Sequence, residues 1–141
     1  ESVNYLVTRI TKNSFSENNK IKSINFPSNS ALKTIENESF SYSSIESIFV
    51  PSNVSELQDG WLNHTSKLQK ITISIENSNY KYDDKQNFIF GRSNSKSSNF
   101  DVIVSANRLI NIAQIPSFIK HIDSFAFSNT PLKFEISIEF D

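Results

Sequence analysis

Side chains able to do acid–base or metal chemistry are few and scattered along this sequence. The histidines are His64 and His121, there is no cysteine, and neither histidine stands in an HExxH or HxH arrangement. Asp83 and Asp84 are adjacent, but the alternating Asp/Asn ligands and the distal Glu of a calcium loop are missing around them. The sequence therefore predicts no metal, no cofactor and no catalytic centre, and it places Asp83 and Asp84 in a solvated turn.

Motifs for nucleotide binding and hydrolysis are also missing, since the chain contains no GxGxxG, GxxxxGK or GxSxG. An enzyme would need catalytic residues from another domain of a longer chain. Three segments match the N-glycosylation acceptor pattern, beginning at Asn37, Asn53 and Asn63. Such short patterns arise by chance in a chain rich in Asn and Ser, so they matter only if the chain is extracellular.

The chain repeats itself at an interval of 23 to 24 residues, with residues 21–27 recurring at 45–51 and 68–74. Each copy places an isoleucine at the same point, namely Ile24, Ile48 and Ile71. The order apolar, two polar, apolar, polar, apolar predicts a short strand with one face in the core. Pro27, Pro51 and Pro116 remove a backbone donor where each strand should end.

A second pattern lies between these strands, where an aliphatic residue precedes a large apolar residue by five positions. The pairs are Ile35 with Phe40, Leu57 with Leu62, Ile122 with Phe127, and a partial copy in Ile10 with Phe15. Each stretch reads as a loop or a short helix. One repeat cannot bury its apolar residues alone, so the pattern predicts a solenoid of four or five stacked turns. The alternative is a β-sandwich, whose strands would not repeat the same internal order at this interval.

The repeat is interrupted over residues 76–111. Two apolar runs, 88–90 and 100–104, flank a polar stretch after Gly91, which predicts a β-hairpin with a flexible tip over residues 93–99. This insertion either seals the gap between repeats or projects as a contact surface. We favour the sealing role, because loops that only cover a core are more common than specific binding arms.

The polar positions between the buried aliphatics of each strand should face outward on the sheet. They are Ser23, Asn25, Ser47, Phe49, Lys70, Thr72 and Gln114. Phe49 is the exception in chemistry, because an aromatic exposed on a sheet is the kind of residue that binding interfaces use. Packing of Phe49 against a neighbouring side chain is an equally good interpretation.

Composition narrows the class of partner. The 14 basic and 15 acidic residues of this 141-residue chain nearly cancel, and no block of like charge stands out. Nucleic acid is therefore not an expected partner. No stretch approaches the ~20 apolar residues of a membrane-spanning helix. The chain starts at Glu1 and contains no methionine, so we expect one domain over residues 1–141 that is a piece of a longer protein.

The repeats resemble the BspA-like leucine-rich repeats found in surface proteins of mucosal bacteria and parasitic protists. In that family each copy looks like apolar-x-x-Ile-x-Ile-Pro-x-x-Val-x-x-Ile-x-x-x-Ala-Phe, and residues 115–127, ending in Ala126-Phe127, follow it most closely. Ser39 and Trp61 depart from the Ala position, Ser74 replaces a proline, and residues 132–138 alternate with period two, which leaves their register open.

The resemblance implies a leucine-rich repeat solenoid with a parallel β-sheet on one side, loops or short helices on the other, and a β-hairpin insertion. It also implies a binding or adhesion module at the cell surface or outside the cell that recognises a protein or a glycan. Exposed repeat ends would separately leave an open sheet edge and an uncapped core, which favours end-to-end contact with missing repeats or self-association with another copy. The alternative is a cytoplasmic scaffold that joins protein partners.

Overall fold

The computed structural model describes residues 5–27, 29–94, 96–110 and 114–131. Within these ranges the chain forms ten short strands and no helix. The strands are β1 (Arg9–Ile10), β2 (Ser23–Ile24), β3 (Thr34–Ile35), β4 (Ser47–Val50), β5 (Glu56–Leu57), β6 (Lys70–Ile73), β7 (Lys81–Tyr82), β8 (Phe88–Gly91), β9 (Val102–Ala106) and β10 (His121–Ile122). The alternating segment 132–138 lies outside the described residues.

Six strands form two parallel three-stranded sheets. The first sheet has the order β1-β3-β5, and the second sheet has the order β2-β4-β6. In the second sheet Ile24 aligns with Ile48, and Ile48 aligns with Ile71, as the 24- and 23-residue intervals predict. Parallel pairing of successive copies confirms the predicted leucine-rich repeat solenoid.

The segments expected to be loops or short helices instead carry the strands of the first sheet. Each contains only two strand residues, and Ile10, Ile35 and Leu57 align in register. Backbone pairing to the previous copy explains this outcome: the amide of Glu36 donates to the carbonyl of Ile10, and that of Gln58 donates to the carbonyl of Ile35. A pattern with apolar residues three apart does not distinguish a helix from an irregular strand, and the neighbouring turn of the solenoid decides it.

Each copy then turns at a corner that contains the large apolar residue. The corner turns span residues 12–17, 37–42, 59–64 and 124–129. In every one, two residues four positions apart adopt positive φ angles of 53° to 68°: Asn13 with Glu17, Glu38 with Tyr42, Gly60 with His64, and Phe125 with Asn129. Most of these residues are not glycine and are strained in this conformation, so the stacked neighbours must hold it.

An aromatic stack holds the corner turns together. Phe40 is fully buried, its ring lies 5.1 Å from that of Phe15 in a parallel arrangement, and Trp61 meets it edge-on at 6.5 Å. Backbone hydrogen bonds follow the same stack, because the amide of Phe15 donates to Ser39 and that of Phe40 donates to Trp61. Burial of these rings stabilises the solenoid where the strands are too short to do so alone.

The interruption of the repeat forms a third sheet with the order β10-β9-β8-β7. The chain folds back between β8 and β9 in antiparallel pairing, as the hairpin prediction requires. All residues of both strands are buried, and β8 is covered on both faces. Ile89 packs with the main core, whereas Phe88 and Phe90 belong to a second apolar cluster with Ile103. The hairpin is therefore a layer between two cores, which agrees with the sealing role.

Side chains of the insertion close the edge of the first sheet. The amide of Leu57 in β5 donates to the hydroxyl oxygen of Tyr80 at 2.8 Å. The amide group of Asn77 donates to the carbonyls of Pro51 at 2.7 Å and Val54 at 3.0 Å. Backbone groups that a further repeat would have paired are thus satisfied by two polar side chains.

Regular pairing resumes at β9. The carbonyl of Asp101, just before β9, accepts the amide of Lys120, and that of Ile103 accepts the amide of Asp123. The carbonyls of Thr8 and Ile10 accept the amides of Lys33 and Glu36 in the same way. Consequently β10 occupies the same kind of position as β3 and β5, and the corner turn at 124–129 follows it. The solenoid continues past the insertion.

Candidate functional site

The candidate site is the outward face of the second sheet, called the binding face below. The structure aligns Ser23 with Ser47, Ser47 with Lys70, and Phe49 with Thr72. The side chains between these rows point inward, as the 2 % exposure of Ile48 shows. Residues chosen from the sequence therefore come together in two rows, because strand residues alternate between faces and the copies are in register.

Exposure varies across the binding face. Ser23, Asn25, Lys70 and Thr72 are exposed, whereas Ser47 and Phe49 are half-buried. Phe49 therefore presents part of an aromatic ring among short polar groups, and it also packs in part against its surroundings. Half-burial decides between neither interpretation of Phe49, so a binding role and packing against a neighbouring side chain both stay predictions.

The electrostatic character of the binding face is nearly neutral. Lys22 Nζ lies 3.1 Å from Glu46 Oε1 beside the first two strands, and both side chains are about half exposed. An exposed pair of this kind contributes little stability because water screens it. Lys70 is the charged residue within the face, which favours neither a polyanion nor a strongly basic partner.

Gln114 is exposed but belongs to none of the described strands. Its neighbours 111–113 lie outside the described residues, so Gln114 is not shown in register with the two rows.

A groove that the sequence did not reveal runs beside the binding face. It has a volume of about 440 Å³ and lies between β6 and the insertion. Tyr82 closes one end by donating its hydroxyl to the carbonyl of Ile71, and burial raises the Tyr82 pKa to about 12. Arg108 lines the groove with a 9 % exposed side chain. The sequence signal for this arrangement is the pair of tyrosines at positions 80 and 82, and no local pattern indicates a role for Arg108.

A family model for the BspA type leucine-rich repeat region matches residues 2–106 with six copies. The chain belongs to this family. The match includes the insertion and ends before residues 115–127, although that segment follows the repeat pattern closely and forms a regular corner turn. A search of curated proteins finds no match.

Solved structures share the fold of this BspA-type chain. A leucine-rich repeat protein from Eubacterium ventriosum is 24% identical over 84% of this chain and 29% of its own, with a TM-score of 0.69. A leucine rich cell surface protein from Faecalibacterium prausnitzii is 18% identical over 91% and 39%, with a TM-score of 0.68. The pneumococcal vaccine antigen PcpA is 17% identical over 90% and 42%, with a TM-score of 0.52. The chain thus spans less than half the length of each.

Three of the residues considered for acid–base or metal chemistry contact neighbouring groups in the BspA-type fold. His64 stacks on Tyr42 with ring centroids 4.4 Å apart, and His121 Nε2 lies 3.5 Å from an Asp123 carboxylate oxygen. Asp83 accepts the amide of Phe88 at 2.7 Å and so closes the turn before β8. Among the described residues no group of three His, Cys, Asp or Glu side chains could hold a metal ion.

The glycosylation patterns differ in access. Asn53 is exposed although its side-chain amide donates to the carbonyl of Ser30 at 2.8 Å, and Asn37 is half-buried. Asn63 is 6 % exposed and accepts a hydrogen bond from Ser128 Oγ at 2.9 Å. A glycan on Asn63 would have to displace the adjoining corner turn, so Asn53 is the most accessible acceptor.

In the described parts of the chain, no helix has the length and apolarity needed to cross a bilayer.

Proposed function

We propose that this BspA-type chain is a non-catalytic binding module that recognises a protein or a glycan through the binding face. The observation that carries the proposal is the pair of in-register rows, in which the half-buried Phe49 stands among Ser, Thr and Lys side chains. An aromatic surrounded by short polar groups supplies contact area and hydrogen bonds at the same place. Stacked repeats hold these groups on a rigid surface.

Replacing the aromatic of the binding face tests the proposal. Wild type and Phe49→Ser are screened on arrays of extracellular proteins and glycans, and affinities for the hits are measured. A loss of about tenfold or more is expected, because a central aromatic contributes about 2 kcal/mol or more at interfaces. Tyr42→Ser is the matched control, since Tyr42 is a 60 % exposed aromatic at a corner turn outside the face. Equal loss in both variants would remove the binding face from the proposal.

The site of action is proposed to be the cell surface or the extracellular space. Support comes from the named neighbours, a leucine rich cell surface protein and a vaccine antigen, whose fold this chain shares. Antibodies raised against this chain should therefore stain intact source cells. Staining only after permeabilisation would instead favour a cytoplasmic scaffold that joins protein partners.

Self-association through the repeat ends is a further proposal. Tyr5, Leu6 and Val7, which precede β1, have exposed fractions of 86%, 78% and 63%. Among the described strands, β1 and β2 are also the outer members of their sheets, and an outer strand edge can pair with another chain. Sedimentation velocity should show concentration-dependent dimers that Leu6→Glu dissociates. A strictly monomeric chain at high concentration would contradict this.

A further inference from the structure

The groove beside β6, called the edge groove below, adjoins the binding face and shares Lys70 and Thr72 with it. Its described lining residues are Leu68, Gln69, Lys70, Ile71, Thr72, Ile73, Tyr82, Gln86, Ile89, Ala106, Asn107 and Arg108. The lining includes the whole of β6 and the two residues before it. The volume of about 440 Å³ lies within the range of roughly 300 to 1000 Å³ that is usual for ligand clefts.

Among the described residues, no strand pairs with the outer edge of β6, so its backbone groups on that side face the edge groove. β6 is the outermost described strand of the second sheet. The amide of Lys70 donates to the carbonyl of Glu46, just before β4. The amide of Ser74 donates to the carbonyl of Val50 in β4. Because alternate residues of a strand direct their amide and carbonyl to the same side, the backbone groups of Ile71 and Ile73 face the groove. The Tyr82 hydroxyl on the Ile71 carbonyl confirms that direction.

The charges around the edge groove are one-sided. Its described lining contains Lys70 and Arg108 and no carboxylate. Arg108 Nη2 donates to the carbonyl of Leu62 at 3.0 Å, but its Nε and Nη1 are buried without a hydrogen-bond partner. Burial lowers the Arg108 pKa to about 10, which still leaves the guanidinium charged at neutral pH. A buried cation without a counter-ion is costly, and an incoming carboxylate would relieve that cost.

We propose that the edge groove binds an extended acidic peptide segment of a partner protein. The peptide backbone adds a short strand to β6 through Ile71 and Ile73, and a carboxylate side chain meets Arg108, with Lys70 at the rim. Strand addition supplies affinity through backbone hydrogen bonds, and the paired charges select the sequence. The Tyr82 hydroxyl occupies the place that a peptide amide takes on the Ile71 carbonyl, so it competes with the ligand.

The edge groove and the binding face can be separated by substitution. Phe49 lies on the face and not in the groove lining, whereas Arg108 lines the groove and not the face. Phe49→Ser should therefore leave peptide binding unchanged, and Arg108→Gln should leave ligands of the face unchanged. Either proposal can fail without the other.

The test uses immobilised decapeptides that alternate Val and Thr around a central Glu, each matched by the same peptide with a central Gln. Wild type should bind the Glu peptides at least fivefold more tightly than the Gln peptides. Arg108→Gln should abolish this preference, and Lys67→Gln, at an exposed lysine outside the groove lining, should retain it. Tyr82→Phe should bind more tightly than wild type, because it frees the Ile71 carbonyl without removing the ring.

A second readout keeps the test decisive if Arg108→Gln fails to fold. Titration of the labelled wild-type chain with a Glu peptide should shift the backbone amide resonances of Ile71 and Ile73 most strongly. Absence of binding by every peptide, equal binding of Glu and Gln peptides, or shifts centred on Ser47 and Phe49 would each overturn the proposal. Binding of sialylated or sulfated oligosaccharides in place of the peptides would also overturn it and assign the groove to acidic glycans.

Discussion

The regular repeats over residues 5–75 and the insertion over residues 76–110 complete the same sheets by different chemistry. Within the repeats, backbone pairs with backbone, as when the amide of Gln58 donates to the carbonyl of Ile35. At the insertion, the amide of Leu57 in the first sheet donates to the hydroxyl oxygen of Tyr80. The hydroxyl of Tyr82 donates to the carbonyl of Ile71 in the second sheet. One region extends the two sheets by repetition, and the other places side-chain hydroxyls on their edges.

The repeats and the insertion should therefore tolerate different kinds of substitution. A repeat position needs apolar volume, because the backbone forms its hydrogen bonds whatever the side chain, and so Phe15, Phe40 and Leu62 serve at equivalent places. Positions in the insertion need a polar atom at a defined distance from the backbone, since a buried amide without a hydrogen-bond partner lowers the stability of the fold. Three substitutions test this contrast, in decreasing order of expected effect.

Phe40→Ala should have the largest effect. The ring is fully buried between Phe15 and Trp61, so its loss removes apolar contacts to two neighbouring repeats. The free energy of unfolding should fall by about 3 to 5 kcal/mol, as for other buried aromatics. Urea titration followed by circular dichroism measures it, with Phe118→Ala, at a 56 % exposed ring, as the control. An unchanged transition midpoint would contradict the stacking of repeats.

Tyr80→Phe should have an intermediate effect that volume does not explain. The substitution keeps the ring but removes the hydroxyl that accepts the Leu57 amide, leaving a buried donor unsatisfied. We expect a loss of about 1 to 3 kcal/mol in the free energy of unfolding. Tyr42→Phe, at an exposed ring, is the matched control and should change stability little. Equal stability of Tyr80→Phe and wild type would show that the insertion does not close the sheet through this atom.

Asp101→Asn should have the smallest effect, and one that depends on pH. The Ser93 amide, the Ser93 hydroxyl and Lys120 hold the Asp101 pKa below its usual value. A lowered folded pKa contributes stability that is present above the unfolded value of about 3.9 and is lost as the pH falls through the folded pKa. The stability difference between wild type and Asp101→Asn should therefore narrow from pH 7 to pH 3.

Asp123 acts in the opposite sense, which is why the variant is compared with wild type at each pH. Burial raises the Asp123 pKa, with Asp59 adding to the effect, so its contribution favours the folded state on acidification. This term is common to both chains and cancels in the difference. A difference that stays constant between pH 7 and pH 3 would show that the Asp101 charge does not hold the tip of the hairpin.

The strands of the second sheet could be predicted because their signal is local and repeated. Spacings of 24 and 23 residues aligned Ile24, Ile48 and Ile71 before any contact was known, and the proline after the strand marked its end in two copies. Alternation within each strand then placed Ser47, Phe49, Lys70 and Thr72 on one face. The hairpin could also be predicted, since two apolar runs flank a polar stretch after Gly91.

Only contacts between turns of the solenoid explain the first sheet, the hydrogen bonds of Tyr80 and Tyr82 to the sheet edges, and the edge groove. Residues 34–35 and 56–57 become strands because an adjacent copy offers backbone partners, which their own sequence does not show. Tyr80 and Arg108 gain their roles from groups 23 and 46 residues away in the chain. The repeat interval could be read directly from the sequence, and the inward or outward direction of strand side chains followed from local backbone geometry. Which polar atoms meet across the gap depends on how separate turns stack, and that is a property of the assembled solenoid.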